Sequence, residues 1–432
     1  MFTKQTIRNI DLQGKTVLLR AELDAPLSED GKEVISDFRL KSNVPTIQFL
    51  LGKNCKIIII GKLGRPGGKP VATMSLAPVA KRLEEIIGRP VGFVTDCIGD
   101  VVKTAAAGLK PGDIILLENV RFHAEEDEDD KDFAQSMADD SGADVFVQDC
   151  FASAHHPGAS IDAITHFLPS VAGLSIEKEV DTLTTVVEKP KRPLMAVIGG
   201  AKIADKLEVM QRFIETADIV ALGGAMANTF LKAQGVDIGD SLYDKAEVKV
   251  AKDLMKQAAA ETEKRPFRFI IPHDVVVADK VDKTASTRIV ELAYPTIADI
   301  QHYPGQVPPT ASHIHAHEKI LDIGPSSASF IAGVVQLAST VVWSGTMGVT
   351  ETPGMQGDIG PTAHGTQTVI QAMIGEFGHK PFSVLGGGDT VGYVQSRKLT
   401  DAFNHVSTGG SASLEVLAGH KLPGVEALMD KK

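Results

Sequence analysis

The chain has 432 residues, 43% apolar and 23% charged, enough for two large or three ordinary domains whose cores need neither disulfides nor metals. A formal charge of −11 and an aromatic content of 5% argue against a protein built to coat nucleic acid or an anionic membrane. Cys55, Cys97 and Cys150 form no CxxC pair, and no run has the length of a signal segment or a membrane span, so a cytoplasmic protein without a disulfide framework or a zinc site is expected.

In the first half, the runs TVLLRAEL (16–23), CKIIIIG (55–61), DIILLE (113–118) and DVFVQD (144–149) are aliphatic without alternation, as strands buried on both faces are. Amphipathic stretches at 40–52 and 76–88 lie between them. The segment 125–132, EEDEDDKD, alone contributes −6 of the −11 and reads as the solvated start of a helix. It lacks the spaced oxygens and turn glycine of a calcium loop. A helix at about 174–188 leads into EKPKRP (188–193), a charged, proline-flanked segment that marks a domain junction.

Beyond it come the strands PLMAVIG (193–199), DIVALG (218–223), TVVWSG (340–345) and FSVLGG (382–387), with helices at 204–216 and 245–263. The proline-rich stretch 294–317 reads as a long connection inside the second domain. His302, His313, His315 and His317 fall in it and read as surface loop residues, since no carboxylate or cysteine spacing makes them a metal site. Strand–helix alternation of this kind predicts an α/β fold of parallel sheets with helices on both faces.

Ligands of open parallel sheets sit beyond the carboxyl ends of the strands. In the first half those positions hold Arg20, Lys62, Arg65, Arg121, His155 and His156, with Arg39 opening the helix after the first strand. So many cations in an acidic protein point to a small anionic ligand. The plainer alternative is a set of salt bridges to Glu22, Asp24 and Asp37. In the second half the strand ends are glycines: IGGAK (198–202), LGGAMA (222–227), LGGGDT (385–390) and STGGSAS (407–413). Such turns let backbone N–H groups approach phosphates at a helix start. Lys202 and Lys206 share a helical face if the helix has begun by residue 202. Asp389 is a candidate partner for Mg2+. No Walker loop, dinucleotide fingerprint, HExxH or GxSxG is present. The pattern fits phosphoryl transfer across a cleft between two facing sheets.

The motifs RAELDAP (20–26), DFRL (37–40), LGRP (63–66), LLENVRFHAEE (116–126), GGAKIADK (199–206), GGAMANTFLK (223–232), LDIGPSS (321–327), GGGDT (386–390) and the tail from 405 to 428 occur in the order seen in one family. On these residues the chain resembles the phosphoglycerate kinases along nearly its whole length. The resemblance implies two Rossmann-like domains with parallel sheets facing a central cleft and joined by a helix. The first, 1–175, would bind phosphoglycerate and be completed by the tail 406–432; a hinge helix would span 176–190; the second, 191–405, would bind the nucleotide. It implies reversible phosphoryl transfer between 1,3-bisphosphoglycerate and ADP, giving 3-phosphoglycerate and ATP with Mg2+, in a monomer without nucleic-acid or membrane partners.

By motif position, Arg39 and Lys202 match the groups that stabilise the moving phosphoryl, and Arg20, Arg39, Arg65 and Arg121 the phosphoglycerate patch. Lys206 matches the nucleotide-phosphate lysine, Asp389 the magnesium–nucleotide carboxylate and Glu351 the ribose-binding acid. Gly200, Gly223, Gly224, Gly387, Gly388 and Thr390 match nucleotide-lining positions. Hinge closure is implied, because Arg39 and Lys202 belong to different domains.

The chain departs from the family pattern on both sides. Glu22-Leu23-Asp24 replaces Asp-x-Asn, Lys62 replaces the His before LGRP, and His156 replaces the Arg of the AHR segment. These changes sum to −1 in a pocket for an anion. Ser344 stands where WNGP has its Asn, and HEKI (317–320) replaces the Trp and Gly before LDIGP. A divergent kinase for another carboxylate or acyl phosphate, and a catalytically weak regulatory homologue, remain alternatives. If His156 stands in for an Arg cation, phosphoglycerate binding should tighten as pH falls through about 6.5, and His156→Arg should flatten that dependence.

Overall fold

The computed structural model describes residues 2–292, 313–352 and 359–431. His302 and residues 294–312 of the proline-rich connection lie outside the described residues. The chain forms two compact units. One takes 1–182, 411–416 and 420–432; the other takes 183–410 and 417–419. The chain passes from the first to the second inside helix Leu174–Glu188. Among the described residues no helix is long and apolar enough to cross a membrane.

The first unit is built on strands β1 (Thr16–Arg20), β2 (Lys56–Ile60), β3 (Gly92–Val94), β4 (Ile114–Leu117), β5 (Val145–Gln148) and β6 (Ser170–Ala172). They form one all-parallel sheet in the order β3-β4-β2-β1-β5-β6. Val17, Ile57–Ile60 and Ile114–Leu117 are buried, with Leu18, Ile58 and Ile60 in one core layer and Val17, Leu19, Ile57 and Ile59 in the other. Burial on both faces is why these strands show no alternation. The run read to residue 23 leaves the sheet after Arg20. Glu22 N–H is taken by the Asn43 side chain rather than by a neighbouring strand. The expected helix 40–52 is two, Phe38–Ser42 and Val44–Gly52, divided at Asn43 ahead of Pro45.

The second unit contains β7 (Leu194–Ile198), β8 (Ile219–Leu222), β9 (Arg268–Ile270), β10 (Asp274–Ala278), β11 (Arg288–Glu291), β12 (Lys319–Ile323), β13 (Thr340–Ser344), β14 (Phe382–Gly386) and β15 (His405–Val406). Six make a parallel sheet ordered β15-β14-β13-β7-β8-β9; the other three form a small antiparallel sheet, β11-β10-β12. The C-terminal segment enters the first unit only from residue 411, because β15 is an edge strand of the second sheet.

Most of the acidic run is the solvated helix start that its pattern predicts, with Glu125, Asp127, Glu128 and Asp132 exposed. Asp130 does cap helix Lys131–Ser141 by accepting from Phe133 N–H at 2.8 Å. Yet Glu126 is 3% exposed, and Asp127 meets Arg121 Nε at 3.0 Å. Loop closure over the strand ends draws these acids toward partners that the local pattern does not reveal.

Asp149 caps helix Leu174–Glu188 from β5. Its Oδ1 accepts from Ser175 N–H at 2.8 Å, while Oδ2 is buried without a partner. Burial pushes its pKa to about 7, against the lowering effect of the Thr46 hydroxyl and the Ser175 and Ile176 N–H groups. A raised folded-state pKa gives stability that is full below the ordinary value of 3.8 and lost as pH rises through about 7. Asp149→Asn keeps the cap oxygen and removes the charge. The melting-temperature gap between mutant and wild type is expected to widen by roughly 5 °C or more from pH 5 to pH 8. A gap that stays constant across that range would contradict the assignment.

Candidate active site

In the first unit the strand order places the turns after β4, β2, β1 and β5 side by side. Arg20 ends β1 and is 1% exposed; its Nε donates to Ser160 Oγ at 2.8 Å and its Nη1 to Ala21 O at 2.9 Å. Arg39 Nη1 donates to Asp24 O at 3.0 Å, and lies 3.3 Å from Asp24 Oδ2 and 3.9 Å from Glu22 Oε1. Lys62 pairs with Asp24 Oδ2, and Gly64 N–H donates to Asp24 Oδ1 at 2.9 Å. Burial opposes the Asp24 charge, but Lys62, the Gly64 N–H and Arg39 outweigh it and hold the carboxyl below its usual range.

Asp24 therefore does form the ion pairs of the plainer reading, whereas Asp37 pairs with Lys41 and Arg82 instead. Lys62 and Asp24, two of the departures from the family motif, neutralise each other directly. Glu22 is buried. Cys150 Sγ lies 3.2 Å from its Oε2, and its Oε1 has no hydrogen-bond partner. Asn43, unremarked in the sequence, holds Glu22 by both backbone groups: Oδ1 accepts its N–H and Nδ2 donates to its O, each at 2.8 Å.

Arg121 Nη1 donates to Gly64 O at 3.1 Å. Arg65 is exposed and has no hydrogen bond or ion pair among the described residues. His156 is exposed, with its ring 4.0 Å from that of His155. His155 is the more buried of the two imidazoles. Burial, then His156, Lys62 and Arg121, push its pKa down to about 4, and its Nδ1 is buried without a partner. Both histidines follow a strand in the sequence, and the motif match picks out His156 alone.

In the second unit β14, β13, β7 and β8 are adjacent, with Ser344 opposite both Ile198 and Gly386. Their glycine turns therefore lie in a row. Lys206 folds back so that Nζ donates to Gly199 O at 2.6 Å. Gly200 and Gly345 have φ of +96° and +92°, and a Cβ on either would approach Nζ within 2.7 and 2.6 Å. Conformation calls for glycine at both, and at Gly345 space does too, since a Cβ there would come within 2.1 Å of Gly199 O. Burial lowers the Lys206 pKa, opposed by Asp389 and then Asp205.

Lys202 and Lys206 do not share a helical face. The first turn is a 3-10 segment, Ala204–Lys206, and the α-helix starts at Leu207, so Lys202 stands exposed in the loop ahead of it.

A cavity of about 800 Å3 opens beside these turns. Gly200, Gly224, Glu351 and Asp389 line it, with an apolar wall that includes Leu231, Tyr243, Pro272 and Leu321. The other expected nucleotide positions are not part of its lining. Gly223 sits against Met347, where a Cβ would come within 2.5 Å of Sδ. Thr390 Oγ1 accepts from Gly345 N–H at 2.7 Å and ties two turns together. Ser344 Oγ is buried without a partner next to Gly387. Gly388 and Asp389 open helix Gly388–Ser396. Asp389 is exposed and makes no hydrogen bond among the described residues. A carboxylate free of hydrogen bonds beside these glycine turns fits Mg2+, which takes few protein carboxylates and keeps waters and phosphates as its other ligands.

One other group of metal-ligand types occurs among the described residues: Asp96, Cys97 and His123. It is already satisfied as a hydrogen bond, His123 Nε2 to Asp96 Oδ1 at 2.8 Å. Burial, with Asp96 and Glu126, keeps the Cys97 thiol protonated. All three cysteines are free and buried.

A family model described as phosphoglycerate kinase matches residues 7–420. The chain belongs to the phosphoglycerate kinase family. It is 40% identical over 428 residues to the phosphoglycerate kinase of Moorella thermoacetica, covering 99% of this chain and 100% of that one. To that of Acidobacterium capsulatum it is 40% identical over 436 residues, covering 99% and 100%. Among solved structures it is similar to phosphoglycerate kinase from Coxiella burnetii, with a TM-score of 0.79, 32% identity and 98% of each chain covered. The phosphoglycerate kinase from Pyrococcus horikoshii gives 0.77 and 29%, covering 99% of this chain and 98% of that one. The pairing of Lys62 with Asp24 sets one added positive charge against one added negative charge.

Proposed function

We propose that the chain catalyses reversible transfer of a phosphoryl group between 1,3-bisphosphoglycerate and ADP, yielding 3-phosphoglycerate and ATP. The observation that supports this most is family membership across 7–420 together with retention of Arg39, Lys202, Lys206 and Asp389. We assign phosphoglycerate to the first unit, through Arg20, Arg39, Lys62, Arg65, Arg121 and the His155–His156 pair. We assign the nucleotide to the second, with phosphates at the Gly199–Gly200 and Gly387–Asp389 turns and Glu351 at the ribose. Glu22 and Asp24 orient Arg39 and Lys62 rather than touching the anion.

The acceptor is a carboxylate that is ionised at neutral pH, so no general base is needed. The protein must supply in-line positioning and fixed positive charge. Arg39 supplies it from the acceptor side and Lys202 from the donor side. They serve one phosphoryl group only if the units close on the bound substrates, with helix Leu174–Glu188 as the hinge. Mg2+, held through Asp389, would neutralise charge on the nucleotide phosphates. Lys206, half-desolvated and anchored on Gly199 O, presents its remaining protons to the same phosphates. We propose a cytoplasmic monomer acting on small molecules alone.

The test is 3-phosphoglycerate-dependent turnover of MgATP in a coupled assay. Robust turnover is the expected result. Its absence in folded protein that binds MgATP would overturn the reading and favour another carboxylate as acceptor.

A further inference from the structure

Arg20 is the most deeply buried of the cations assigned to phosphoglycerate, and something must fix the plane of its guanidinium. Its Nε donates to Ser160 Oγ at 2.8 Å and its Nη1 to Ala21 O at 2.9 Å, which leaves Nη2 without a hydrogen bond among the described residues. Ser160 is in turn held twice by Glu126. Its Oγ donates to Oε1 at 2.6 Å, and its N–H donates to Oε2 at 2.9 Å. All three residues are 3% exposed or less.

The polarity of this chain is forced. A carboxylate only accepts, so the single hydroxyl proton of Ser160 goes to Glu126. The oxygen lone pairs of Ser160 are then left to face Arg20 Nε. Without Glu126 the hydroxyl could turn its proton toward the guanidinium and repel it.

We propose that Glu126 and Ser160 are positioning residues that set the Arg20 guanidinium so that Nη2 points to the substrate anion. Part of the acidic run is thereby the brace of a cationic binding group. The role toward substrate rests on the assignment of Arg20 to phosphoglycerate; the orientation itself does not.

Two readouts on the full chain test this. In arginine Nε–H NMR spectra, with Arg20→Lys used to assign the signal, the Arg20 resonance should exchange slowly in wild type and at least tenfold faster in Ser160→Ala. Glu126→Gln should speed it less, because the hydroxyl remains. An unchanged Arg20 signal in Ser160→Ala overturns the proposal, whatever the enzyme does. In kinetics, Ser160→Ala should raise KM for 3-phosphoglycerate by about tenfold, the usual worth of a hydrogen bond to a charged group, and change KM for MgATP less than twofold.

In the Arg20→Lys background, which has no Nε fork to orient, Ser160→Ala should add less than about twofold. Equal rises in both KM values, or full additivity with Arg20→Lys, would mean a merely structural brace. Absence of turnover in wild type would remove the substrate assignment but leave the NMR result to decide the orientation.

Discussion

Lys202→Ala is expected to lower kcat by about 10²–10³-fold, the usual loss when one group that stabilises transition-state charge is removed. It should change KM for either substrate by less than about threefold and leave the melting temperature within a degree or two. The reasoning is structural. Lys202 lies exposed in the loop before helix Leu207–Thr216 and makes no hydrogen bond or ion pair among the described residues. It contributes nothing evident to the resting fold. Lys206, four residues on, is the opposite case: anchored on Gly199 O in a space that only glycines leave open. Lys206→Ala should therefore raise KM for MgATP, whereas the Lys202 loss falls on the chemical step. Steady-state kinetics and a thermal melt separate the two. A Lys202→Ala enzyme within fivefold of wild-type kcat would show that the moving phosphoryl group is stabilised from elsewhere.

The second large effect concerns the Asp24–Lys62 pair. Lys62→His restores the residue expected from the family motif but leaves Asp24 beside the proposed anion site with only Arg39 to balance it. A like charge about 5 Å from a bound anion costs on the order of 3 kcal/mol at an effective dielectric constant of 20. KM for 3-phosphoglycerate should thus rise by about 10–100-fold, allowing for partial screening. Asp24→Asn on that background removes the uncompensated charge and should return KM to within about threefold of wild type. Asp24→Asn alone leaves Lys62 without its carboxylate. Its damage should fall on geometry, through the lost contact of Oδ2 with Arg39, rather than on charge, since the amide oxygen can still accept from Gly64 N–H. Measuring all four proteins closes the cycle. If the double mutant is as poor as Lys62→His, the two positions are not coupled, and the ion pair is incidental.

The sequence displayed the long central strands because burial on both faces leaves continuous aliphatic runs, as in Ile57–Ile60. It did not display β3, β6 or β15, which are two or three residues long and too short for any pattern. Nor did it display the antiparallel sheet of β10, β11 and β12, whose strands are recognisable only through their pairing. Strand-end cations and glycine turns were legible because a parallel sheet collects the residues after its strands at one end, whatever lies between them.

What the sequence by itself determined is the α/β class, the chemistry at the two sets of strand ends and the family. Tertiary structure alone decided which charges neutralise one another and which remain for a ligand. Arg20 and Glu126 are separated by more than a hundred residues, yet Ser160 joins them; Asp24 and Lys62 meet only because β1 and β2 are neighbours. His155 is half-buried with its Nδ1 enclosed while His156 is exposed for the same kind of reason: a turn after β5 presents one ring inward and leaves the next outside. The residue types that make a charged site are local facts, but the electric field depends on distance through space, and only the folded chain sets those distances.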